Sequence, residues 1–122
     1  MPKILISEYN EFVAEIHQEN FSQAGMEAIV VLNEKEVREV IQKEKIDILL
    51  INERIGGYAF VREIRKNNPA MRIFVIGVGH YPHVDPSDRK KAIEAGADEF
   101  IDNTSVTPDE LLDLVLRKIQ AE

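Results

Sequence analysis

The sequence predicts an α/β domain, a doubly wound three-layer αβα sandwich built from five βα units. Three observations predict it. Short apolar runs rich in β-branched residues alternate with longer amphipathic segments along the whole chain. The runs are nearly continuous in apolar character rather than alternating, as expected for parallel strands covered on both faces. Helix-start signals precede several of the amphipathic segments, and right-handed crossovers then place helices on both sides of the sheet.

Ile4-Leu5-Ile6 is the first strand. Phe12, Val13, Ile16, Phe21 and Ala24 follow at helical spacing, and Gly25 closes that helix. Ala28 to Leu32 is the second strand. Asn33 then stands as an N-cap, with Glu36 at the third helical position and Val37, Val40 and Ile41 as the apolar stripe. Ile46 to Ile51 is the third strand, apolar apart from Asp47. The Gly56-Gly57 turn leads into a helix carrying Phe60, Val61 and Ile64, which ends at Asn67-Asn68-Pro69 because the residue before proline avoids helical angles. Ile73 to Val78 is the fourth strand, followed by a longer loop from Gly79 to Asp85. Asp85-Pro86-Ser87-Asp88 begins a helix that ends near Ala95-Gly96. Glu99 to Asp102 is a short fifth strand. Thr107-Pro108-Asp109-Glu110 is a capping box, and Leu111, Leu112, Val115, Leu116 and Ile119 are the buried face of the last helix.

Composition excludes several classes of function. At 122 residues, with 44% hydrophobic and 30% charged, residues 1–122 make one domain with a core of its own. There is no cysteine, which removes disulfides, thiolate metal sites and cysteine nucleophiles. Asp and Glu number 22 against 15 Lys and Arg, a net charge of −7, so no nucleic acid is expected to bind this domain through a basic face. The longest apolar runs are about six residues, too short for a membrane span. The N-terminus reaches a charge at Lys3, unlike a secretory signal, and the expected compartment is cytoplasmic.

In an open parallel sheet, ligands bind beyond the carboxyl ends of the strands. The residues there are Ser7-Glu8-Tyr9, Asn52-Glu53-Arg54, Gly77-Val78-Gly79-His80 and Asp102-Asn103-Thr104. Lys3 to Ile6, Asp47 to Ile51, Ala95-Gly96-Ala97-Asp98-Glu99-Phe100, and the stretch from Gly57-Tyr58 to Ile64-Arg65 together resemble the CheY-like receiver domain of two-component response regulators. The resemblance covers the whole chain. It implies a flavodoxin-like fold with parallel sheet order 2-1-3-4-5 and a role in signal transduction.

The resemblance also locates a phosphorylation pocket, and the residues there depart from the family pattern. Where two acids help hold magnesium, this chain has Glu8-Tyr9. The phosphoacceptor aspartate, five residues after Asp47, falls on Asn52. The hydroxyl residue at the end of the fourth strand is matched to Gly79. The lysine, seven residues after Gly96, falls on Asn103, with Thr104 in place of proline. The loop after the third strand is also about three residues short by the family's pattern, but the aromatic switch position is kept as Phe100. An amide does not attack phosphorus as a carboxylate does, and magnesium prefers carboxylate oxygens. The expectation is therefore a degenerate, or pseudo-, receiver with no catalytic residue, metal or cofactor, acting through phosphorylation-independent protein–protein interaction. Family usage further implies an interaction face containing Arg89, Lys90, Glu94, Asp113 and Arg117, with protein partners of a signalling pathway and a homodimer among the forms it could take. Two alternatives stand beside this. One is a phosphorylatable receiver with an unusual acceptor, and the other is a small-molecule-binding domain on the same fold.

Other residues have plainer readings. Glu53 is expected to point away from the pocket because side chains alternate along a strand. His80, His83 and Asp85 would hold a metal only if their loop converged with a fourth group such as Glu8, so solvated loop residues are the simpler expectation. His17 is expected at a partly exposed surface position, and Arg89-Lys90-Lys91 on a solvated helix face. Gly77-x-Gly79 lacks the Lys-Ser of a phosphate loop, and Ser7 lacks a nucleophile elbow.

Overall fold

Strands and helices alternate strictly along the chain, and a computed structural model describes residues 1–77 and 86–121. The strands are β1 (Lys3–Ser7), β2 (Glu27–Val31), β3 (Ile48–Asn52), β4 (Arg72–Gly77) and β5 (Glu99–Asp102). The helices are α1 (Glu11–Gln23), α2 (Glu34–Lys43), α3 (Gly57–Asn67), α4 (Pro86–Ala95) and α5 (Pro108–Gln120). The strands form one parallel sheet in the order β2-β1-β3-β4-β5, as expected from the sequence.

Each strand sends alternate residues to opposite faces, so the sheet divides the apolar core in two. Leu5, Leu49, Ile51, Ile73, Val75 and Phe100 pack under α2, α3 and α4, against Val37, Phe60, Val61, Ile64 and Ala92. Ile4, Ile6, Ile48, Leu50, Phe74, Ile76 and Ile101 pack under α1 and α5, against Phe21, Leu111 and Val115. The helix starts follow local chemistry. Asn10 Oδ1 accepts from the N–H groups of Phe12 and Val13, and Asn33 Oδ1 accepts from Glu36 N–H. Thr107 and Glu110 form the reciprocal capping box that opens α5.

Three expectations need correction. The buried face of α1 is Ala14, His17 and Phe21, whereas Phe12 is 79% exposed and Ile16 is 43% exposed. The Asn10 cap sets the phase of the helix, and that phase turns Phe12 and Ile16 outward and His17 inward. His17 is therefore buried rather than partly exposed. The third strand begins at Ile48 rather than Ile46, and just before it the Asp47 carboxylate accepts the Lys3 N–H at 2.9 Å. The fourth strand runs from Arg72 to Gly77, and Val78, where the sequence places its end, lies outside the described residues.

At the sheet edge where the strands begin, Arg65 ties several segments together. Its Nε donates to the Gly96 carbonyl, and its Nη1 donates to the carbonyls of Asn68, Pro69 and Met71. Its Nη2 pairs with Asp98 at 3.0 Å. Gly96 has φ +114°, and a β-carbon there would sit 2.6 Å from Arg65 Cγ, so glycine answers both the backbone angle and the approach of the arginine.

Candidate functional site

The opposite edge, where the strands end, carries the candidate site. Glu8 follows β1 and is 3% exposed, with its N–H bonded to the Val31 carbonyl at 3.1 Å. Asn52, the last residue of β3, is 1% exposed. Its Nδ2 donates to Glu8 Oε2 at 3.1 Å and to Oε1 at 3.4 Å. Oε1 also accepts from Asn10 N–H at 3.3 Å, the residue that caps α1. The other end of the Asn52 amide accepts from Arg54 N–H at 2.9 Å. Both ends of this amide are thus used, and each Glu8 oxygen meets a neutral donor. Tyr9 does not join them and is 46% exposed. Ser7 Oγ is buried on the sheet with no hydrogen-bond partner among the described residues.

Divalent magnesium seeks carboxylate and water oxygens around a compact octahedron. Among the described residues Glu8 is the one carboxylate of this cluster, its oxygens are engaged by N–H donors, and Asn52 turns its amino group toward it. The donor set does not suit the ion. Among the described residues, no group of three or more His, Asp or Glu side chains is arranged to hold a metal. His80, His83, Asp85 and Gly79 lie outside the described residues.

Asn103 follows β5 and donates its N–H to the Gly77 carbonyl at 2.9 Å. Its side chain is an amide, and the turn it opens is organised by Asp102 instead. The Asp102 carboxylate accepts from Thr104 N–H, Thr104 Oγ1 and Ser105 Oγ. Burial pushes this carboxyl up, but the Ser105 and Thr104 bonds outweigh it and hold the group below the ordinary aspartate range.

Glu53 faces away from Asn52 and accepts from Tyr58 OH at 2.8 Å. Burial first, then Glu53, pushes the Tyr58 hydroxyl above the usual tyrosine range. Phe100 is 3% exposed and its ring lies against Gly77. The sequence reading matched the end of the fourth strand to Gly79. Gly79 lies outside the described residues; Gly77, the last described residue of β4, pairs with Asp102 of β5 and meets the aromatic ring.

On the α4–β5–α5 side, Lys90, Glu94, Asp113 and Arg117 are exposed. Arg89 is engaged: it pairs with Glu99 Oε1, and its Nη2 donates to the Phe100 carbonyl. Lys118 Nζ holds the other Glu99 oxygen at 3.0 Å. Burial pushes the Glu99 carboxyl up, but the bonds from Lys118 and Phe100 N–H and the charge of Arg89 overcome it and set it below the usual glutamate range. Sequence reasoning missed Glu99 and Lys118. The available signal was a charged residue at the head of an otherwise apolar strand, which needs partners if it is buried.

A sequence profile of the response regulator receiver domain matches residues 4–116. The chain is 27% identical over 125 aligned positions to the transcriptional regulatory protein YxdJ of Bacillus subtilis, an alignment covering 100% of this chain and 50% of that protein. It therefore spans half the length of this curated relative. A response regulator from Thermotoga maritima superposes with a TM-score of 0.86 at 22% identity, covering 98% of each chain. HP1043, an orphan response regulator of H. pylori, gives 0.85 at 16% identity, covering 95% of this chain and 94% of the other. At these identities the two structures speak to the fold, while the profile spans nearly the whole sequence. This chain belongs to the response regulator receiver domain family, the receiver module of two-component signalling.

Proposed function

We propose that this receiver is a pseudo-receiver, a non-enzymatic module that signals by protein–protein contact without aspartyl phosphorylation. The observation that carries the reading is the Asn52 amide at the end of β3, with its amino group bonded to both oxygens of Glu8. A carboxylate at position 52 would supply an oxygen nucleophile; the amide supplies none, and its nitrogen lone pair is delocalised into the carbonyl. Asn52 also neutralises part of the demand for a cation, because it gives Glu8 a donor from within the chain. Asn103 likewise places no fixed positive charge where an incoming phosphoryl group would need one.

The surface offered to partners is the α4–β5–α5 side, through Lys90, Glu94, Asp113 and Arg117, with Arg89 held in place by Glu99. Signalling proteins of the cytoplasm are the expected partners, and a homodimer through this side is one such contact. The name of YxdJ, a transcriptional regulatory protein, supports an output reached through such contacts.

The test is to incubate the chain with acetyl phosphate, and separately with beryllofluoride and magnesium. Intact-mass measurement should show no phosphoprotein, and the Asn52 side-chain amide resonances should not move. A stoichiometric, acid-stable and hydroxylamine-sensitive phosphoprotein would overturn the reading in favour of a phosphorylatable receiver with an unusual acceptor.

A further inference from the structure

The segments that follow β1, β2 and β3 enclose a cleft of about 410 Å³, separate from the Glu8–Asn52 pair. The sheet order reverses between β1 and β3, and the strand ends at such a reversal are where open parallel sheets take ligands. The volume lies in the range of small-molecule sites, roughly 300–1,000 Å³. Tyr9, Leu32 and Ile55 give the cleft an apolar wall, with Tyr9 half exposed and Ile55 buried. Most of its polar side chains are already spent. Asn33 gives both ends of its amide to Glu36, and the Glu34 carboxylate is held by Arg38 at 3.3 Å. Arg54 is different: it is exposed, and its guanidinium meets no carboxylate among the described residues. Gly56 adds the start of α3, which has no side-chain cap and no acid in its first turn, so the positive end of that helix is open on the same rim. On the sheet face that α2 and α3 cover, Ser7 stands in register with Val31 and Ile51, and its buried hydroxyl has no partner among the described residues. This end of the face thus holds an unmet polar group as well.

We propose that this cleft binds a small aromatic carboxylate, with Arg54 holding the carboxylate and Tyr9, Leu32 and Ile55 covering the ring. A guanidinium fork matches a carboxylate with two parallel bonds, and no acid of the chain competes for this one among the described residues. The apolar wall favours a flat ring over a hydrated aliphatic acid, because an aromatic side chain gains most against another aromatic face. The ligand does not touch Glu8 or Asn52, which are 3% and 1% exposed. It reaches them through the chain instead. Arg54 N–H donates to Asn52 Oδ1 at 2.9 Å, and Tyr9 follows Glu8 directly. A ligand that draws on Arg54 therefore loads the Asn52 amide, an input that needs no phosphoryl transfer. Its meaning as an input rests on the pseudo-receiver reading, whereas the cleft and its ligand do not.

The test titrates nitrogen-15-labelled chain with sodium phenylacetate, with uncharged phenylacetamide, and with sodium chloride at matched ionic strength. Phenylacetate should give saturable shifts of the Tyr9, Asn33, Arg54 and Gly56 amides, with a Kd of about 1 mM for so small a probe. The Asn52 side-chain amide should move along the same curve. Arg54→Gln, a change on an exposed side chain, should weaken phenylacetate about tenfold, to the level of phenylacetamide. Tyr9→Ala should weaken both probes. The cleft is overturned if no saturable shift occurs by about 20 mM, well above the expected Kd. It is equally overturned if chloride moves the same resonances, if the amide binds as well as the acid, or if Arg54→Gln changes nothing. Saturable binding with the Asn52 amide unmoved would overturn the link to the Glu8–Asn52 pair. Acetyl phosphate separates the two readings. A phosphoprotein that still binds phenylacetate here would defeat the pseudo-receiver alone, and a chain that takes neither would defeat the cleft alone.

Discussion

Glu8 presents its carboxylate at the buried end of a strand, and the donors that meet it are neutral. Asn52 Nδ2 and Asn10 N–H do what a cation would otherwise do, at a fraction of the charge. Asn52→Asp would replace the donor 3.1 Å from Glu8 Oε2 with a second carboxyl. Two carboxylates at that distance do not both ionise readily, so the pair holds a proton and a folded-state pKa rises. The stability of Asn52→Asp at pH 7 should fall by about 1–3 kcal/mol relative to the unmodified chain. A raised carboxyl pKa gives a penalty at high pH that disappears below the unfolded value. The difference between variant and unmodified chain should therefore shrink as pH drops from 7 to 5. Urea unfolding at the two pH values checks this, and an equal deficit at both would refute the crowding. Asn52 and Glu8 were legible in the sequence because the Asp47-to-Asn52 count and the end of the first strand both point at them. The approach of the Phe100 ring to Gly77 was not, because it depends on the register of β4 with β5.

At the level of elements, caps read well and helix phases read poorly. Asn33 and the Thr107–Glu110 box use atoms within one turn, so the sequence contains the whole interaction. The inward face of α1 depends on where the helix starts, and Phe12 and Ile16 are misleading because their apolar character finds no core. His17 takes the inward position instead, 2% exposed, with neither ring nitrogen partnered among the described residues. Burial lowers its pKa, so the fold prefers the neutral ring. The sign follows by linkage. Below the ordinary histidine value of about 6.5, the unfolded chain takes up a proton that the fold resists. Stability is full above that pH and is lost as pH falls through the lower folded value. His17→Leu should remove this component of the acid slope and raise stability by about 1 kcal/mol at neutral pH, since an unpartnered polar ring leaves the interior. Denaturant midpoints between pH 7.5 and 5.5 measure it. A variant with an unchanged slope would show that His17 is not the titrating group.

Across the whole molecule, the alternation of apolar runs and amphipathic segments was enough to read the five βα units, and the family resemblance supplied the sheet order. The profile of the family and the sheet order agree with that reading. What a single sequence does not contain is how distant segments meet, as Arg65 shows. This side chain on α3 bonds carbonyls from the α3–β4 turn and from the α4–β5 turn, and it pairs with Asp98. Its planar fork is suited to that task and an ammonium is not. Arg65→Lys should lower stability by about 2 kcal/mol. Hydrogen exchange should then quicken first around Met71 to Ile73 and Gly96 to Asp98; uniform quickening through all strands would contradict a local clamp. With that clamp intact, thermal motion in the sheet is expected to be lopsided, damped at the margin where Arg65 sits and freer at the far margin. A partner that bends the domain would then find its leverage beside Asn52 and Asn103, with the arginine-bound margin acting as the fulcrum.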